Sequence, residues 1–158
     1  MPRISLLCWA VLVTGCAASL EEIRALPAEG RSDELRPLLN HEHGWVREEA
    51  ARLLGSSGTQ AAASDLESLV ADRGERPLVR AAAARALGLL RAPTSLPVLV
   101  GVASVPGTPP EVKLALIDAL CAFAPKPEAL QAIAPLERDE DLLVSVAAAE
   151  RVQWQCAR

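Results

Sequence analysis

One repeat constrains this chain more than any other feature. Val46-Arg47-Glu48-Glu49-Ala50-Ala51-Arg52-Leu53-Leu54-Gly55 returns 33 residues later as Val79-Arg80-Ala81-Ala82-Ala83-Ala84-Arg85-Ala86-Leu87-Gly88. A third copy begins at Val112-Lys113, with Leu116-Ile117 at the small-pair position and Leu120-Cys121 at the end. A looser fourth runs from Val144-Ser145 through Ala148-Ala149 to Val152-Gln153. Within each copy the apolar residues fall at i, i+4 and i+8, which makes a helical stripe and not a strand alternation. In the second copy Val79, Ala83, Ala86, Leu87 and Leu90 mark the face expected to be buried.

Shorter apolar-periodic segments at 33–40, 60–71, 95–103 and 128–137 separate these helices. Breakers stand between them: Ser56-Ser57-Gly58, Pro93-Thr94 and Pro125-Lys126-Pro127. Pro77 and Pro109-Pro110 fall just before or within the first turn of a repeated helix, where proline costs no hydrogen bond. The expectation is an all-α chain of about four antiparallel helix pairs, at 33–57, 58–92, 93–124 and 125–156. One such pair cannot bury its apolar face alone, so the pairs must stack. Residues 16–32 form a tether, with a short leading helix as one option for 20–26.

Composition agrees. At 158 residues the chain holds one domain or a short array. Its 12 prolines exclude one uninterrupted helix, and its 51% hydrophobic content excludes a disordered chain. The net charge of -4 argues against nucleic acid as a partner. With no Tyr, one Phe (Phe123) and three Trp (Trp9, Trp45, Trp154), there are few platforms on which bases could stack.

The Val-Arg, Ala-Ala and Leu-Gly elements of the second helix resemble HEAT repeats in their short bacterial form, over about 33–156. The resemblance implies a right-handed α-solenoid whose second helices line a concave surface. The third copy departs from the pattern at Leu116-Ile117, and the fourth loses both the basic residue (Ser145) and the glycine (Gln153). In the family, a basic residue after the repeated valine often joins a charge ladder between repeats. Arg47, Arg80 and Lys113 are therefore read as structural, beside the acidic Glu42, Glu75 and Glu111 of the preceding turns.

The amino terminus reads as an address. Arg3 precedes an apolar run from Ile4 to Thr14, too short to span a bilayer, which ends at Gly15-Cys16. Val13-Thr14-Gly15-Cys16 resembles the lipobox of bacterial lipoproteins. That resemblance implies removal of a signal peptide at 1–15, lipidation of Cys16 and a membrane anchor facing the periplasm. Ala17, in place of the Asp associated with inner-membrane retention, points to the outer membrane. The alternative is ordinary secretion after cleavage near Ala18.

Little in the chain suggests chemistry. His41-Glu42-His43 holds the only two histidines, and alternate residues of a turn rarely converge on one ion, so no metal is expected. HEAT-fold enzymes that bind di-iron draw on several His-Glu dipeptides, and here there is one. No serine sits in a nucleophile elbow and no glycine-rich phosphate loop occurs, so neither catalytic residues nor a cofactor are expected. Cys121 and Cys156 fall near the ends of the last two repeated helices, which should be neighbours, so a disulfide is one option for them. Trp45 either packs over its turn or serves as a binding hot spot, and Trp154 is placed to cover the last repeat. The leading expectation is a non-enzymatic scaffold holding a protein partner through successive second helices, with Trp45, Arg52, Arg85, Asp118 and Arg151 at the contact. The alternative is a small-ligand carrier or enzyme with a pocket between repeats.

Overall fold

A computed structural model describes residues 19–154 and 156, so Cys16 and the signal and lipobox expectations lie outside the described residues. The described chain is helical throughout: α1 (Leu20–Ala25), α2 (Gly44–Ser56), α3 (Ala63–Ala71), α4 (Pro77–Leu90), α5 (Ser95–Ala103), α6 (Pro110–Cys121), α7 (Pro127–Ile133) and α8 (Leu142–Trp154). The second helices α2, α4, α6 and α8 pack side by side in one layer. The first helices α3, α5 and α7 pack in another, and α1 leans on α2. This is the stacking of a HEAT-like solenoid.

Local chemistry explains the helix ends. Pro77, Pro110 and Pro127 occupy the first turns of α4, α6 and α7, where the missing N–H has no intrahelical partner to lose. Asp141 caps α8 by accepting the Leu143 and Val144 N–H groups on its Oδ1. Ser19 and Glu22 form a reciprocal capping box at the start of α1. The first segment of the first pair is not α-helical. It forms two 3-10 turns, Ser32–Leu35 and Pro37–Asn40, because Pro37 has no N–H to give and its ring blocks the preceding turn. Pro135 likewise confines α7 and leaves a 3-10 turn over Ala134–Arg138. The helix containing Trp45 starts at Gly44, so Trp45 lies in its first turn and not ahead of it.

The core runs the length of the stack. All five residues expected on the inner face of the second copy are buried. Helices meet closely where the repeated glycines fall. A Cβ on Gly55 would lie 2.6 Å from Ala86 Cα, and one on Gly88 would lie 2.7 Å from Ala119 Cα. The third copy has Cys121 at this position, and there the contact is covalent: Cys121 is bonded to Cys156, with Cα atoms 5.0 Å apart. No helix among the described residues is long and apolar enough to cross a membrane.

Candidate interaction surface

Helices α2 and α4 bury most of their residues, so few side chains project from each. On α4 the exposed residues past the first turn are Arg85 and Leu89. Three of the four residues spaced at 33 come together here. Arg151 donates to Asp118 at 2.7 Å, and Arg85 reaches the same carboxylate at 3.8 Å. Asp118 is thus one carboxylate shared between two guanidinium groups on neighbouring helices. Arg52 takes no part in this cluster. It pairs within its own helix with Glu49, which also receives Arg24 of α1 at 2.5 Å.

Between α4 and α6 this face opens into a groove of about 320 Å³, lined by Arg85, Gly88, Leu89, Arg91, Asp118, Ala119 and Ala122. The small residues that permit close helix approach also form its floor. Leu89 stands 66% exposed beside it. Arg91 ends α4 in the left-handed region, at φ 50°, a position where glycine is usual. Its side chain makes no ion pair or hydrogen bond among the described residues. The groove therefore offers an apolar knob between two arginines, with a single carboxylate opposite.

Trp45 is 40% exposed and stacks near His43, with ring centroids 6.5 Å apart. It covers its own turn and contributes nothing to the groove. In that turn the His43 N–H donates to Nδ1 of His41 at 3.1 Å, and the His43 ring lies 3.6 Å from Glu42. The Trp154 side chain lies outside the described residues.

The basic ladder differs from expectation in its partners. Arg47 bonds Glu75 of the next repeat, at 2.6 and 2.7 Å, and also donates to the His41 and Glu42 carbonyls. Lys113 bonds Asp139 of the next repeat at 2.6 Å. The carboxylates of Glu42 and Glu111 take no part in these pairs, because the basic side chain reaches across to the following loop. Arg80 pairs with no carboxylate among the described residues. A parallel connection in the first-helix layer joins Arg36 to Asp65 at 2.8 Å, and Ser95 donates to Glu67 at 2.7 Å. For the basic donors Arg36, Arg47 and Lys113 the available signal was an acidic residue 26–29 positions later, not one in the preceding turn.

Among the described residues, Glu49 is a strongly perturbed carboxylate. Hydrogen bonds from Arg52, supported by Arg24, outweigh its burial and pull its carboxyl down to about 2. Its contribution to stability is complete above the ordinary glutamate range, near ~4.3, and is lost as pH falls from there toward about 2. Both arginines are half-exposed, which screens the interaction. Glu49→Gln is therefore expected to cost on the order of 1–2 kcal/mol at pH 7 and to flatten the acid limb of the stability profile. Urea melts at pH 7, 4 and 2.5 check this, and equal stability at pH 7 would exclude it.

No curated protein matches the chain. Residues 32–107, from the first 3-10 turn through the loop after α5, match the family of HEAT repeats, which commonly mediate protein–protein interaction.

Proposed function

We propose that this chain is a lipid-anchored HEAT-repeat scaffold that holds a protein partner at the bacterial cell envelope. The groove between α4 and α6 carries the reading. Exposed Leu89 flanked by Arg85 and Arg91 suits a partner presenting an apolar side chain next to an acidic one. Arginine is enriched among residues that dominate binding energy, and an apolar anchor desolvates the contact around it. Asp118 already neutralises Arg151 at short range and leaves Arg85 under-compensated. The anchor rests on the resemblance of Val13-Thr14-Gly15-Cys16 to a lipobox.

Two experiments test this. A stoichiometric partner should co-purify from membranes after mild crosslinking, and the double substitution Arg85→Glu with Arg91→Glu should reduce its recovery at least about tenfold, one favourable charged contact or more. Both positions are exposed, so thermal melting should hold. Undiminished recovery by the double variant would remove the groove reading. Labelled palmitate should enter the wild-type chain and disappear with Cys16→Ser. Label that survives this change would remove the anchor.

A further inference from the structure

Along the loops between first and second helices, the ladder has a gap. Arg47 is closed by Glu75, and Lys113 is closed by Asp139. Arg80, between them, is 4% exposed and forms no ion pair among the described residues. The position 33 residues after Glu75 is Thr108, which is also buried. Its hydroxyl is engaged with the Val102 and Val105 carbonyls.

Arg80 uses one of its five donors. Its Nε gives a hydrogen bond to the Val70 carbonyl at 3.1 Å. The two terminal amino groups have no partner among the described residues, yet no buried side-chain nitrogen there is both sealed and unsatisfied. Those groups are therefore not fully sealed from solvent. A second guanidinium bridges the two loops that flank this rung: Arg73, on the loop after α3, donates to the Pro106 carbonyl, two residues before Thr108, at 3.3 Å. The adjacent carboxylate, Asp72, accepts the Gly74 N–H at 2.8 Å. Burial pushes Arg80 down from its ordinary value, and Arg73 pushes it further, with Asp72 opposing.

A guanidinium taken largely out of water, as Arg80 is, is costly unless a charged acceptor replaces the hydration it has lost. The planar fork of terminal N–H groups matches the two oxygens of a carboxylate. We propose that Arg80 and Arg73 form a binding site for a carboxylate, which completes the open rung as Glu75 and Asp139 complete its neighbours. The carboxylate arrives either as a free small acid or on the acidic side chain of a bound polypeptide. The site does not depend on the groove between α4 and α6, since a small carboxylate tests it without any protein partner.

The experiment follows the Arg80 guanidinium Nε–Hε resonance by NMR in the full chain, assigned by its loss in Arg80→Lys. Sodium acetate replaces sodium chloride at constant ionic strength and neutral pH. A second series uses acetyl-Ala-Glu-Ala-amide, whose only carboxylate is on a side chain. A saturable shift with acetate is expected, and a shift with the peptide as well shows that a polypeptide carboxylate can enter. Response to acetate alone assigns the site to small acids. Thr108→Glu should abolish the response by closing the rung from within. Arg73→Gln, on an exposed loop and so harmless to folding, should weaken acetate binding about fivefold, the loss of one screened ion pair. The same resonance behaviour in chloride and acetate, or full binding by Arg73→Gln, would overturn the proposal.

Discussion

Gly88→Val is expected to destabilise the stack by about 3 kcal/mol or more, a large part of the stability of an ordinary domain. A Cβ at this position would meet Ala119 Cα at 2.7 Å and Cβ at 3.0 Å, and neither atom can move without displacing α6. Gly55 repeats this relation with Ala86 one repeat earlier, so the pair of contacts sets the spacing of α2, α4 and α6. Helical glycine is otherwise unfavourable, and Gly101 of α5 supplies the control. Nothing lies within 4 Å of a Cβ built there. Gly101→Ala should therefore stabilise the chain by about 0.5–1 kcal/mol, from backbone entropy alone. Urea denaturation of both variants checks the pair of signs. A Gly88→Val chain as stable as the wild type would refute the close approach of α4 and α6.

Opening the Cys121–Cys156 bond is expected to cost about 3–4 kcal/mol, on the chain-entropy estimate for the loop closed by a sequence separation of 35. The loss should be local. In a stack each repeat contacts only its neighbours, so its stability is roughly a sum of repeat and interface contributions. Amide exchange should accelerate in α7 and α8 under reductant, or in Cys156→Ser, while α2 and α4 keep their protection. Exchange unchanged by reductant would show that the bond does not hold the last repeat. The position of the bond has a physical logic. Gly55 and Gly88 let adjacent second helices touch through their backbones, and Cys121 occupies the same place in the third copy. A side chain there prevents the same close approach, and the covalent link joins the terminal repeat instead.

Much of the fold was legible because burial follows spacing. Val79, Ala83, Leu87 and Leu90 share one side of a 3.6-residue helix, so any partner laid on that side buries them together. The first pair was less legible. Residues 33–40 carry the apolar spacing of a helix, but Pro37 divides them into 3-10 turns, and its local cost outweighs the stripe. Of the residues expected on the binding face, Arg85, Asp118 and Arg151 meet, whereas Arg52 pairs within its own helix with Glu49, which Arg24 also reaches. Arg91 was missed altogether. Its only signal was an arginine after the last apolar residue of the second copy, where a glycine would have been the cheaper end.

The sequence by itself determined the helices, their pairing and the residues that face inward, because these depend on periodicity and on proline at helix starts. It also determined that successive second helices present residues 33 apart in a row. Tertiary structure alone decided which charges meet. Each ladder partner lies in the following repeat, and whether a side chain reaches it depends on the offset between stacked helices and on the path of the intervening loop. That offset brings Arg47 to Glu75 and Lys113 to Asp139. At Arg80 the corresponding place is Thr108, its hydroxyl turned to its own backbone, and the rung stays open.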